Sequence, residues 1–379
     1  MCRVKCTLFV VPCHFLRDWE ALIMKIDLNE ILGKFNIESK IEEYGNGHIN
    51  DTYCTETPKF ILQRINTAIF KNPYEVMKNI ANVTSHLRVK IAEAGGDPDR
   101  ETMTVIPTAD GQNFYKYDDD NYFRVYKFIG NTKTIEDDKT YDDLYNAGIG
   151  FGKFQRMLDD YPADELFETI PDFHDTPKRV EAFKQAVKED LAGRAALVQP
   201  EIDFVLKNAE FASVVVDGLA SGEIPLRVTH NDTKINNILF DEETGEAVCV
   251  IDLDTVMPGS VLYDFGDALR MGGSTGAEDE VNLDLVHFDK KAFKRFAEGY
   301  LSQTGSVLTE TEIKLLPFSV KLLTYECGMR FLTDYLNGDT YFKIHRENHN
   351  LDRARNQFKL VAEIGEMEDE LCELVKELL

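Results

Sequence analysis

The stretch that decides the fold is His230-Asn231-Asp232-Thr233-Lys234-Ile235-Asn236-Asn237, followed by Val250-Ile251-Asp252-Leu253-Asp254. It lies in residues 227–255, where two short apolar runs flank a polar loop, so strands present the polar side chains. These residue types in this order suit phosphoryl transfer to a hydroxyl. That reaction needs the acceptor oxygen in line with the γ-phosphate and cations to spread the developing charge. Asp232 can accept or orient the hydroxyl proton. Asn237, five residues on, can turn back to a metal, and Asp252 on the next strand can complete an oxygen-ligand set for Mg²⁺. Lys234 is placed to reach the γ-phosphate. Asp254 is left open between a further ligand and a carboxylate that structures the loop, and His230 reads as structural. A plain polar loop explains any one of these positions, but not the whole set in this order.

Upstream, residues 40–44 and 51–55 read as strands flanking the turn Gly45-Asn46-Gly47-His48-Ile49-Asn50, and 60–65 reads as a third strand. A helix is expected over 72–93, with Pro73 in its first turn and Val76, Ile80, Val83 and Leu87 at helical spacing. Two more strands follow at 102–107 and 121–129, around a polar turn at Asp110-Gly111. Strands with a single helix among them make an antiparallel sheet and not a βαβ alternation. After Gly130 amphipathic helical stretches dominate residues 140–220 and 285–379. The expected fold class is α+β, with two lobes. A small antiparallel-sheet N-lobe covers residues 24–129, and a larger, mainly helical C-lobe covers 130–379.

Residues 1–23 carry Arg3 and Lys5 before a short apolar run broken by Pro12 and His14, too short to span a bilayer as a helix. They read as an over-extension ahead of a natural start at Met24. The formal net charge of -25 argues against a general nucleic-acid binder, because phosphate backbones would be repelled. It leaves room for a nucleotide that arrives with Mg²⁺. Seven cysteines, an odd number with no CxxC pair, read as reduced thiols of a cytoplasmic protein. No nucleic-acid or membrane partner is expected, and a monomer or weak dimer is. The acidic runs at 118–120 and 136–138 read as solvated loops, and 363–379 as an amphipathic, solvated helix.

The spacing His-x-Asp-x4-Asn with a later strand Asp matches the protein-kinase catalytic loop and metal aspartate. HNDTKINNILF at 230–240, VIDLDTVMPG at 250–259 and YDFGD at 263–267 resemble the aminoglycoside phosphotransferase and choline kinase superfamily, which has a protein-kinase-like fold. GNGHINDTY at 45–53, FILQRIN at 60–66 and GMRFLTDYLNGDTYF at 328–342 are most similar to its N-acetylhexosamine 1-kinase group. The resemblance implies ATP and Mg²⁺ as cofactors and transfer of the γ-phosphate to the anomeric C1 hydroxyl of N-acetylglucosamine or N-acetylgalactosamine. It implies Asp232 as the catalytic group, Asn237 and Asp252 as metal ligands, and Arg330 and Tyr341 as sugar contacts. It also puts Gly45 and Gly47 near the phosphates, His48 and Asn50 near the sugar, and the main chain of Lys127, Phe128 and Ile129 against adenine.

Several positions keep a plainer alternative. Gly45 and Gly47 also suit an ordinary hairpin turn. Gln63-Arg64 stand where kinases usually carry the phosphate-pairing lysine; Arg64 is the chosen cation, with a solvent-facing strand arginine as its alternative. Read alone, Arg330 would make a surface pair with Asp334, four residues on. Asp264 and Asp267 are expected to anchor the loop after the metal site. Other acceptors for the same chemistry are an amino alcohol, an aminoglycoside or homoserine. From a different class, the alternative is an inactive nucleotide-binding scaffold.

Overall fold

Helix α1 (Leu28–Gly33) is the first helix among the described residues, its N-terminus capped by the Asp27 carboxylate. The computed structural model describes residues 26–45, 49–136 and 138–379. Strands β1 (Ile41–Glu43), β2 (Asp51–Thr55), β3 (Phe60–Asn66), β4 (Val105–Ile106), β5 (Tyr115–Lys116) and β6 (Asn121–Lys127) form one antiparallel sheet. The order is β1-β2-β3-β6-β4, with β5 also paired to β6. Between β3 and β4 run α2 (Pro73–Glu93) and the short α3 (Pro98–Glu101). The expected strand at 102–107 is therefore only two residues long, because Pro98 starts a helical turn just before it.

Strand periodicity fixes which side chains face which way. On the outer face Leu62, Phe123 and Val125 pack on Ile31, Leu32 and Phe35. On the inner face Ile65 and Tyr126 join Val76, Ile80 and Val83 of α2 in the main core. Gln63 pairs in register with Arg124, so both belong to the inner face, whereas Arg64, opposite Phe123, belongs to the outer one.

The rest of the chain is mostly helical, as expected: α4 (Tyr141–Met157), α5 (Thr176–Glu189), α6 (Gln199–Asn208) and α7 (Val214–Ser221), then α8 (Val261–Gly272), α9 (Lys290–Thr304), α10 (Glu310–Leu336), α11 (His349–Glu366) and α12 (Glu368–Glu377). Five short strands sit among them. These are β7 (Thr132–Lys133), β8 (Arg227–Thr229), β9 (Ile238–Asp241), β10 (Ala247–Val250) and β11 (Met257–Gly259). They pair as β10-β9-β7 and β11-β8, so the 230–237 loop and the 251–256 segment both cross between the two small sheets.

Helices α4 and α9 approach closely at glycines. A Cβ on Gly148 would lie 2.2 Å from the Phe296 carbonyl oxygen, and one on Gly299 would lie 2.1 Å from that of Tyr145. One apolar core runs from the inner face of the large sheet through α2, α4, α8 and α9, and a second joins α5, α6, α10 and α11. The C-terminal stretch differs from expectation. It is amphipathic, but α12 is docked, with Leu371 and Val375 buried in the main core. Among the described residues, no helix is long and apolar enough to cross a membrane.

Candidate active site

The 230–237 loop is held from below by α8. Both oxygens of Asp264 accept main-chain N–H bonds, from His230 at 2.9 Å and Asn231 at 2.7 Å, and Gln155 Nε2 adds a third bond at 2.6 Å. Thr233 donates its hydroxyl to the Asp264 carbonyl, and its N–H to Asp267. The acidic pair thus braces the Asp232 loop itself, and not the segment after Asp252 as the sequence suggested. His230 is fully buried and structural. Its Nδ1 accepts the Asp232 N–H, which leaves Nε2–H to donate to the Ile251 carbonyl, so the ring ties the loop to the segment carrying Asp252.

The four residues singled out around Asp232 come together. Lys234 Nζ lies 2.9 Å from Asp232 Oδ1, and Asn237 Nδ2 donates to the Asp232 carbonyl at 2.8 Å and to its Oδ2 at 3.2 Å. Burial pushes the Asp232 carboxyl up, but the Lys234 ammonium and the Asn237 amide outweigh it and hold the group ionised, below its usual value. Asp232 in turn holds the Lys234 ammonium well above its usual value. Asp252 sits in a left-handed conformation, φ 59°, as does Asn231 at φ 64°. Such strain in non-glycine residues clusters at functional sites.

The Asp252 carboxylate has no hydrogen bond or ion pair among the described residues, unlike its neighbours. Burial, Asp254 and Asp232 together push it up to about 7. A crowded, unpaired carboxylate, together with the Asn237 side-chain oxygen, which accepts no hydrogen bond among the described residues, is a donor set that a hard divalent cation would satisfy. Among the described residues no three acidic, histidine or cysteine side chains enclose such an ion. A Mg²⁺ that keeps only two protein ligands and takes the rest from phosphates and water fits this arrangement.

The nucleotide side departs from expectation at Arg64. This residue lies on the outer face of β3 and is half exposed, with its Nε 2.6 Å from Asp51 and an Nη 3.0 Å from Asn121. A shift of one residue along a strand reverses the face, so Arg64 cannot share the inner side with Gln63. The inner cation is Arg124, which is 1% exposed. Its fork meets Asp254 Oδ1 at 2.5 Å and Oδ2 at 2.9 Å, and it also donates to Gln63 Oε1 at 3.1 and 2.8 Å. Asn50 adds a 2.7 Å bond to Asp254 and accepts the Asn66 N–H. Asp254 is therefore a structural carboxylate, and the Asn50 amide is engaged on both sides. Gly45 takes φ 76°, as a tight turn requires; Gly47 and His48 lie outside the described residues. Of the expected hinge, the Lys127 N–H is spent on the Thr104 carbonyl and the Ile129 carbonyl accepts the Thr132 hydroxyl. The Phe128 ring stands edge-on to Tyr44.

Arg330 lies on α10, and the surface pair with Asp334 does not form. Asp334 is buried and accepts the main-chain N–H groups of Thr340, Tyr341 and Phe342 at 2.8–2.9 Å, together with the Asn350 amide. It folds the 340–342 turn back so that Tyr341 and Phe342 reach Arg330, whose guanidinium lies 6.0 and 5.5 Å from their ring centres. Sequence reasoning missed Arg124, Gln155 and the true target of Asp264. The one local signal was a charge inside the apolar strand NYFRVYKF at 121–128, which demands a buried partner.

Residues 40–299 match the sequence profile described as the phosphotransferase enzyme family, APH. The fold is similar to that of a microcompartment-associated aminopropanol kinase, at TM-score 0.58 and 16% identity over 91% of this chain and 97% of that one. An amicoumacin kinase solved with AMP-PNP, Ca²⁺ and its ligand gives TM-score 0.56 and 13% identity, over 95% and 94% of the two chains. The choline kinase of Streptococcus pneumoniae gives TM-score 0.52 and 11% identity, over 92% and 99%.

Proposed function

Because the chain belongs to the phosphotransferase enzyme family, we propose that it transfers the γ-phosphate of ATP to the anomeric C1 hydroxyl of an N-acetylhexosamine. On this reading the sheet lobe, residues 24–129, receives the nucleotide, and the helical lobe, residues 130–379, supplies the catalytic loop and the sugar site. Asp232, ionised and held by Asn237, takes the acceptor proton. Lys234, already paired with Asp232, bridges from it toward the phosphate being transferred. Asn237 and Asp252 would hold Mg²⁺, which when bound offsets charge on the transferring phosphoryl group.

The observation that carries the acceptor assignment is Arg330. Its guanidinium has neither ion pair nor hydrogen bond among the described residues, and its carboxylate neighbour Asp334 is committed elsewhere. A guanidinium whose donors are unpaired repels a protonated amine and suits an uncharged group that presents an oxygen, such as an acetamido carbonyl. The aminopropanol and choline kinases share the fold and are named for acceptors of the opposite character.

ADP release, followed with N-acetylglucosamine, N-acetylgalactosamine, choline, homoserine and kanamycin in turn, tests the proposal. Release with the N-acetylhexosamines only, giving an acid-labile, non-reducing product, is expected. Turnover of an amino alcohol or aminoglycoside would keep the Asp232 chemistry and overturn the acceptor.

A further inference from the structure

Around Phe173 two guanidiniums meet, neither in a salt bridge among the described residues, and the buried Glu326 carboxylate carries a charge that acts on both. Arg179, on the first turns of α5, donates to the Phe173 carbonyl from Nη2 at 3.0 Å, and Arg330 lies 5.8 Å from the Phe173 ring centre. Arg179 makes no ion pair among the described residues, and its Nε is buried with no partner at all. Each nearby carboxylate makes its hydrogen bonds elsewhere, although Glu326 still acts on both guanidiniums through its charge. Glu326, one turn before Arg330, accepts from His174 Nδ1 at 2.8 Å and from the Thr176 hydroxyl at 2.6 Å. Asp172 takes Lys178, and Asp334 holds the 340–342 turn. Burial and the charge of Arg330 hold the Arg179 guanidinium below the usual arginine value, which Glu326, Tyr341 and Asp172 only partly offset.

Leaving buried guanidinium donors unmade is costly, and two like charges side by side add to the cost. A ligand that presents oxygen acceptors relieves both. Tyr341, which is 65% exposed, stands at the solvent side of the pair. A chain of side chains links the cluster to the 230–237 loop. Cys327, on the preceding turn of α10, lies within charge range of Arg330 and of Arg270, and Arg270 pairs with the Asp267 that accepts the Thr233 N–H.

We propose that Arg179 is a specificity-determining residue of the acceptor site. With Arg330 it forms a guanidinium pair that takes an uncharged, oxygen-presenting substituent and turns away a protonated amine at the same position. Resting on the function proposed above, that substituent is the acetamido carbonyl of the hexosamine.

The test compares N-acetylglucosamine with glucosamine in mildly acidic buffer, in the full chain and in the variants Arg179→Gln and Arg179→Lys. Arg179→Gln is expected to raise KM for N-acetylglucosamine by about tenfold or more, with kcat and the KM for ATP held within about threefold, as for loss of uniform binding. The preference for the acetylated sugar should narrow by a similar factor. Arg179→Lys keeps the charge and loses the fork, so it should keep the rejection of glucosamine while weakening N-acetylglucosamine binding. Unchanged KM and unchanged preference in a folded Arg179→Gln protein would overturn the proposal. So would unfolding of both variants, which would make Arg179 a structural residue. If the wild-type enzyme instead uses some other uncharged hydroxyl compound, the hexosamine assignment fails while the Arg179 effect on KM persists. A wild-type preference for a cationic acceptor over its uncharged analogue sinks both.

Discussion

Asp232 is held ionised by Lys234 and Asn237, so changing its carboxylate to an amide removes the proposed proton acceptor with almost no change of shape. In Asp232→Asn, kcat is expected to fall by about 10²–10⁴, the span over which positioned general bases contribute, while KM for ATP stays within about threefold. Steady-state kinetics with ATP and the acceptor varied in turn checks this; near-normal turnover would remove Asp232 from the chemistry. The same scale shows what a sequence conveys about a site. That Asp232, Lys234, Asn237 and Asp252 come together was legible because loop and strand are close in sequence and the proposed chemistry demands those types in that order. Arg64 is a different case. Its charge is plain in FILQRIN, but its usefulness depends on which face of β3 it occupies. Leu62 and Ile65 on either side left that parity undecided until α1 and α2 were seen to cover opposite faces.

Helix α8 positions the 230–237 loop by placing one carboxylate in its first turn. Asp264 takes two adjacent main-chain N–H groups, so this brace grips the loop's backbone, alongside the side-chain bonds of Thr233 and His230. Asp264→Asn exchanges one accepting oxygen for an NH₂ group that faces a main-chain donor. Stability is expected to drop by about 1–3 kcal/mol, the cost of leaving a buried donor unsatisfied. Because the displaced donors belong to His230 and Asn231, kcat should fall alongside. Urea unfolding and turnover are the two measurements, and a variant that loses stability but keeps full kcat would show that the brace does not set the loop's geometry. Elements of this kind were only partly readable. The long periodic helices and the antiparallel sheet follow from local pattern, since both faces of those segments are marked by apolar spacing. The contacts of Asp264 with residues 33 and 34 positions away leave no mark in either segment, and the docking of α12 depends on a groove made by helices far upstream.

At the scale of the molecule, the sheet lobe and the helical lobe are joined by a buried ion pair as well as by apolar packing. Arg124 on β6 reaches Asp254, 130 residues away, in a bidentate contact 1% and 4% exposed at its two ends, and Asn50 and Gln63 from β2's approach and β3 complete it. Asp254 is two residues from Asp252, so the sheet lobe sets the path of the proposed metal segment directly. Breaking a buried pair from one side leaves an uncompensated charge, which typically costs about 3–5 kcal/mol, whereas replacing both ends by apolar groups can be neutral. Arg124→Met alone should therefore destabilise by about that amount and raise KM for ATP as the two lobes lose their register. Adding Asp254→Leu should restore part of the stability only. The Asn50 amide and the Gln63 carbonyl are then left without partners, at about 1–3 kcal/mol each. A double-mutant cycle by urea unfolding measures the coupling. If Arg124→Met costs less than about 1 kcal/mol, the value of an exposed pair, then apolar packing alone joins the lobes, and the proposed metal segment takes its geometry from α8 and the helical lobe.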